Sequence, residues 1–169
     1  MKKLILFFAI IVFAVNVQAQ ENETTTYYFI RHAEKVRTDK LNKNPDLTKQ
    51  GKNRAENWSV VFKNVDFNII YSTKYNRTIQ TAEPTAKSKE LEIQFYNPSH
   101  LYDPDFQVKT KGKTVLIVGH SNTTPLFVND ILREEKYQQI DDKNNANLYI
   151  ITISGVYKNS MLLKIPYSN

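Results

Sequence analysis

Three times in this chain a strand-length apolar run ends abruptly in a cation or an imidazole, and that recurrence constrains the fold more than any other feature. "TTYYFIRHAEK", residues 25 to 35, runs Tyr27, Tyr28, Phe29 and Ile30 straight into Arg31, His32 and Glu34. "NIIYSTKYNR" leads a second run to Arg77, and "TVLIVGHSNTTP" leads a third to Gly119, His120, Ser121 and Asn122. One such junction is an ordinary strand end reaching solvent. Three of them suggest a shared site, because ligands of open α/β sheets sit at the carboxyl ends of the strands. Side chains about 90 residues apart in sequence can converge there.

The remaining pattern agrees with such a sheet. Strand-length runs also occur at Leu91 to Phe95, Leu148 to Ile153 and Met161 to Ile165. Between the runs lie segments with helical spacing. "LTKQGKNRAENWSVVFKN" puts Ala55, Trp58, Val61 and Phe62 on one face, with Asp46 or Thr48 available as N-cap. "NRTIQTAEPTAKSKE" predicts a helix that Pro84 should bend or split, since proline removes a donor and clashes with the preceding turn. "TTPLFVNDILREE" carries Pro125 in its first turn, where proline is tolerated, with Leu126, Phe127, Ile131 and Leu132 as its apolar residues. Strands alternating with helices predict an α/β fold, an α/β/α sandwich of three layers on a mostly parallel central sheet. The last two runs, joined by "GVYKN", read as a hairpin on its edge, and residues 97 to 112 read as a polar loop with one helical turn.

Composition bounds the class. The first nineteen residues, "MKKLILFFAIIVFAVNVQA", place two lysines before a short apolar run that closes on Val17-Gln18-Ala19. That is the layout of a secretory signal peptide. The run is shorter than the roughly 20 residues of a spanning helix. The expectation is therefore export to the periplasm or medium with cleavage after Ala19, a catalytic domain over residues 20–169, and no stable membrane insertion thereafter. The chain has no cysteine, so disulfides are excluded. Loss of Lys2 and Lys3 would lower the net charge from +6 to +4. The lysines are scattered rather than interleaved with aromatics in a stripe, which argues against nucleic acid as a partner and fits a small anionic substrate at least as well.

Two arginines and two histidines around one point make a site for a phosphoryl group. Guanidinium forks match phosphate oxygens bidentately and keep their charge at any working pH. A neutral imidazole can attack phosphorus and carry the group covalently, splitting one hard displacement into two easier ones. The histidines stand beside cations that would repel a metal ion, so neither a metal nor another cofactor is expected.

"RHAEK", "LTKQG", "STKYNRTIQTA" and "VGHSNTTP", in this order and spacing, resemble the histidine phosphatase superfamily, also called phosphoglycerate mutase-like or histidine acid phosphatase. The resemblance spans roughly residues 27 to 133. It implies a phosphoglycerate mutase-like fold and a phosphohydrolase that works through a phosphohistidine on His32. It implies further that Arg31, Arg77 and His120 are catalytic and that Asn122 lines the phosphate site, with Ser121 and Glu34 as further substrate contacts. The partner would be a small phosphorylated substrate or a phosphoprotein. Ala33 stands where relatives usually carry glycine. The Ser and Asn that mutase-type members carry after the nucleophile are missing from "EKVRTDKLN", which argues against a mutase. The general acid of relatives commonly lies between the third strand and the second histidine, where this chain offers Glu92, Asp103 and Asp105. Glu92 falls within a strand run. Asp103 is the favoured candidate, although an aspartate before Pro104 also makes a good helix cap. Asp105, Glu34 and water remain alternatives, and a phosphate-binding module of the same fold without turnover is the competing reading. His100 reads as a solvated loop residue.

Overall fold

The computed structural model describes residues 23–167, so the expected signal sequence at 1–19 lies outside the described residues. Ten elements follow one another: β1 (Thr25–Arg31), α1 (Lys49–Val61), β2 (Ile69–Ser72), α2 (Asn76–Ser88), β3 (Ile93–Phe95), α3 (Pro104–Thr110), β4 (Thr114–Gly119), α4 (Thr123–Leu132), β5 (Asn147–Ser154) and β6 (Tyr157–Lys164). The strands form one sheet in the order β3-β2-β4-β1-β5-β6. The first four are parallel, and β5 and β6 are an antiparallel hairpin on one edge.

Side-chain alternation divides the core into two layers. Tyr27 and Phe29 of β1, Val115 and Ile117 of β4, and Tyr71 of β2 pack with Phe106 of α3 and Phe127 and Ile131 of α4. Ile30, Leu116, Val118 and Ile70, their neighbours along the same strands, pack with Trp58 and Phe62 of the α1 layer and with Ala82 and Ala86 of α2. Central strands covered on both faces read as continuous apolar runs, which is how β1 and β4 look in sequence.

The helices depart from expectation in three places. In α1 the buried stripe is Gly51, Arg54, Ala55 and Trp58, continued by Phe62, while Val61 is exposed. At 3.6 residues per turn Val61 falls beside that stripe, and Phe62 falls on it. Thr48 is the N-cap, its hydroxyl accepting from Gly51 N–H at 3.0 Å. Pro84 neither splits nor ends α2, which continues from Asn76 to Ser88. Thr81, Ala82, Thr85 and Ala86 are buried on both sides of it, and their packing holds the chain helical across the missing donor. Residues 97–112 are more ordered than a loop: α3 gives them a seven-residue helix, anchored by buried Phe106 and Thr110.

Gly51 sits where α1 crosses the chain leaving β1. A Cβ there would fall on the carbonyl oxygen of Glu34, well inside van der Waals contact, and the obstacle is backbone that cannot swing away. We expect Gly51→Ala to destabilise the protein by about 2 kcal/mol, the scale of an overpacked core, as read from the urea midpoint. An unchanged midpoint would mean that α1 can shift without cost.

Candidate active site

The sheet order brings the three polar strand exits together. β4 lies between β1 and β2, with Arg31 opposite Gly119 and Ser72 opposite Val118. One residue further on, His32 N–H donates to the Gly119 carbonyl at 2.9 Å. The His32 and His120 rings then meet edge to face, 66° apart in plane with centroids 5.6 Å apart. Gly119 is required for this approach, because a Cβ would lie 2.6 Å from Thr124 Oγ1 and 2.9 Å from the Tyr96 hydroxyl.

Hydrogen bonds decide which ring nitrogen carries a proton. His32 Nδ1 is 2.7 Å from the Ala33 carbonyl oxygen, which can only accept, so Nδ1 holds the hydrogen and Nε2 keeps a free lone pair in the neutral ring. His32 is nearly inaccessible, and Asn145 Nδ2 holds its backbone carbonyl at 2.8 Å. The adjacent Ala33 N–H donates to Thr81 Oγ1 at 2.9 Å. For His120 the order is reversed. Its Nδ1 faces Arg77 Nη2 at 3.5 Å, and a guanidinium can only donate, so Nε2–H donates to Thr73 Oγ1 at 3.0 Å. Thr73 passes its own proton to Thr78 Oγ1 at 2.9 Å, and Thr78 closes the chain on the Tyr75 carbonyl at 2.8 Å.

Both rings are held neutral. Burial is the main cause for His32, followed among the lowering influences by Arg31, His120 and Arg77; these outweigh the Ala33 hydrogen bond and push its pKa down to about 3. Burial, then Arg77, Arg31 and Lys35, push His120 down to about 4. Charging an imidazole here would require removing it from water beside fixed cations.

The two arginines are held differently. Arg31 is almost fully buried and caged by the segment before β5. Its Nη1 donates to the carbonyls of Asp141, Asp142 and Asn144 at 2.9, 3.0 and 3.1 Å, and its Nη2 to Asp142 Oδ1 at 2.7 Å. Asp142 also pairs with Arg37 at 2.7 Å, and hydrogen bonds from Arg37 and then Arg31 hold its carboxyl down at about 2. Arg77 lies over the Tyr75 ring at 4.4 Å. On both arginines the Nε donor is buried and meets no protein acceptor. Unsatisfied buried donors on two cations that flank a bare imidazole nitrogen suit an anionic oxygen.

The other expected site residues sit further out. The Glu34 carboxylate lies in the fork of Arg54, with Nε at 2.8 and 3.0 Å and Nη2 at 2.7 Å, so this acid braces α1 against the exit of β1. Asp103 is the N-cap of α3, accepting from Phe106 N–H at 2.8 Å. Asp103 and Asn122 line a cavity of about 870 Å³ bounded by α3, α4 and residues 133–139; His32, Arg77 and His120 are not among its walls. Ser121 contributes its carbonyl, which accepts from Ile140 N–H at 2.9 Å. Among the described residues no group of three or more His, Cys, Asp or Glu side chains could hold a metal. Sequence reasoning missed Thr73, Thr78, Thr81, Asp142 and Asn145. Only the polar run "DDKNNAN" hinted at the last two, and nothing in its spacing ties it to Arg31 more than 100 residues earlier.

Residues 27–97 match the family model described as histidine phosphatase superfamily (branch 1), so β1 to β3 carry the signature of that superfamily's domain. The match ends before β4, and sheet pairing is what joins His120 to it. No curated protein matches the sequence. Among solved structures, Bacillus stearothermophilus YhfR superposes with a TM-score of 0.65 at 17% identity, over 85% of this chain and 98% of that one. A phosphoglycerate mutase from Bacillus anthracis gives 0.62 at 14% identity, over 86% and 95%. A phosphoserine phosphatase from Entamoeba histolytica, in complex with 3-phosphoglyceric acid, gives 0.59 at 17% identity, over 85% and 98%. At these identities the likeness is one of fold, and the fold is the phosphoglycerate mutase-like α/β sandwich.

Neutral burial of the histidines has a sign in stability. In the unfolded chain each takes a proton near pH 6.5, whereas in the fold they do so only at about 3 and 4. Between those values the unfolded state binds more protons, so stability complete above about pH 6.5 is lost as the pH falls through this window. We expect His120→Gln to lose less of its urea midpoint between pH 7 and pH 5 than the wild type does. Equal losses in the two proteins would mean that His120 is not held neutral.

Proposed function

We propose that this protein is a metal-independent phosphomonoester hydrolase that forms a phosphohistidine on His32. The observation that carries the reading is the Nε2 of His32, left without a protein partner while Nδ1 is tied to Ala33, beside two guanidinium groups whose buried Nε donors have no protein partner. In the first half-reaction Nε2 attacks phosphorus, while Arg31 and Arg77 take the non-bridging oxygens. Arg31 can do so without reorganising, because the carbonyls of residues 141–144 already fix its plane. Preorganised donors of this kind are the largest contribution to many group transfers. His120 accepts from Arg77 and so helps to fix the guanidinium. The N-terminal sequence fits export of the mature chain to the periplasm or medium.

The engagement of Asp103 as a helix cap favours a second reading, a phosphate-binding module without turnover. An activated aryl phosphate separates the two, since its leaving group barely needs protonation. We expect turnover of that ester by wild type, and loss of about 10³-fold or more in His32→Ala. Acid quenching during turnover should trap labelled phosphoryl on His32. Activity within tenfold of wild type in the alanine variant, or label on a serine, would overturn the mechanism. Arg77→Lys keeps the charge but loses the planar fork, and we expect kcat/KM to fall roughly 10²-fold. A silent lysine variant would remove Arg77 from the reaction.

A further inference from the structure

A phosphohydrolase needs a proton for the departing oxygen, and two of the candidate acids, Glu34 and Asp103, are engaged, as is Asp142 beside Arg31. Glu34 is held by Arg54, Asp142 bridges Arg31 and Arg37, and Asp103 caps α3. Lys35 is placed differently. Residues 34–36 form an extended stretch pinned to residues 46–48: Val36 N–H donates to Asp46 O at 2.9 Å, Thr48 N–H donates to Glu34 O at 2.8 Å, and Lys35 pairs with Leu47. Successive side chains of an extended stretch point to opposite sides. Glu34 points to Arg54 of α1, so Lys35 points the other way, on the side it shares with Arg37. Arg37 reaches Asp142 at 2.7 Å and Asp142 reaches Arg31 at 2.7 Å, which makes that side the crevice.

Lys35 is half-buried there and takes part in none of the ion pairs found among the described residues. The charged groups acting on it come from each surrounding element: Arg77 of α2, Arg31 and Arg37 of β1 and its exit, and Asp142 of the segment before β5. Lys35 in turn acts on His120 at the exit of β4. Burial first, then Arg77 and Arg37, lower the lysine below its ordinary range, with Asp142 opposing. An ammonium so placed is a stronger acid than a free one.

We infer that Lys35 is a catalytic residue, the group whose ammonium protonates the leaving oxygen. The His32 Nε2 lone pair forms the N–P bond, the ester P–O bond breaks, and the leaving oxygen keeps that electron pair and takes a proton from Nζ. The alcohol departs and Lys35 is left as the neutral amine. Water then attacks phosphorus, the N–P electron pair returns to Nε2, and the water proton passes to Nζ, restoring the ammonium as inorganic phosphate leaves. Lysine does here what a carboxylic acid would do, in a crevice whose cations draw an anionic ester in.

The inference rests on the phosphohydrolase reading, and one experiment distinguishes the failure of either. Lys35→Arg keeps charge and reach but holds its proton at every working pH. We expect kcat/KM for glycerol 2-phosphate to fall about 10²-fold or more, and that for 4-nitrophenyl phosphate to change by less than about threefold. The basic limb of the wild-type pH profile on the alkyl ester should vanish with the lysine. Lys35→Gln, with a thermal melt to verify folding, should show the same selectivity for the alkyl ester. Equal losses on the two esters would make Lys35 a phosphate contact and overturn its role as acid, as would an alkyl rate unchanged in Lys35→Arg. A wild type that turns over neither ester would retire the hydrolase reading, and the acid with it.

Discussion

Parallel pairing sets Arg31 of β1 opposite Gly119 of β4, and the bond from His32 N–H to the Gly119 carbonyl carries that register one residue past the strands. The rest of the structure depends on this pairing. A slip of one residue would exchange the two faces of β1, turning Tyr27 and Phe29 toward α1 and α2 and moving His32 away from His120. Two apolar layers therefore hold the register, and the register holds the two imidazoles in contact. Gly119 completes the arrangement, since any side chain there would meet Thr124 and Tyr96.

The crevice concentrates positive charge while keeping its imidazoles uncharged. Arg31 and Lys35 from the exit of β1 and Arg77 from α2 meet here, and their mutual repulsion is tolerated because carbonyl dipoles, the Tyr75 ring and one exposed carboxylate surround them. Asp142 is 64% exposed, so water screens its pairing with the arginines. Its main effect is geometric, closing the cage that the carbonyls of residues 141–144 build around Arg31. Burial of the histidines beside these cations then acts on protonation in one direction, toward a free lone pair on His32 Nε2.

Much of this was legible in the residues. Alternating apolar runs implied a covered, mostly parallel sheet, and the polar strand exits implied a crevice at one end of it, because strand periodicity and the position of ligands in open sheets are local consequences of backbone geometry. Thr48, Pro125 and the β5–β6 hairpin followed from local chemistry in the same way. Pro84 and Val61 did not. Local preference argued for a bend or split at Pro84 and for an apolar face through Val61; α2 runs through Pro84 unsplit and Val61 is exposed, because packing against the neighbouring layer prevailed.

What the sequence determined by itself was the set of groups at each strand exit: Arg31 and His32, Arg77, and His120. Which of these groups stay available was settled by the closed fold. Glu34 is drawn to Arg54 because α1 crosses at Gly51, and Lys35 faces the arginines because the same extended stretch turns alternate side chains apart. Asp142 and Asn145 reach Arg31 and His32 from more than 100 residues away, brought there by the chain that links α4 to β5. Periodicity is encoded within a few neighbours, but tautomer, charge state and the pairing of a carboxylate depend on atoms that meet only when the whole sheet has closed.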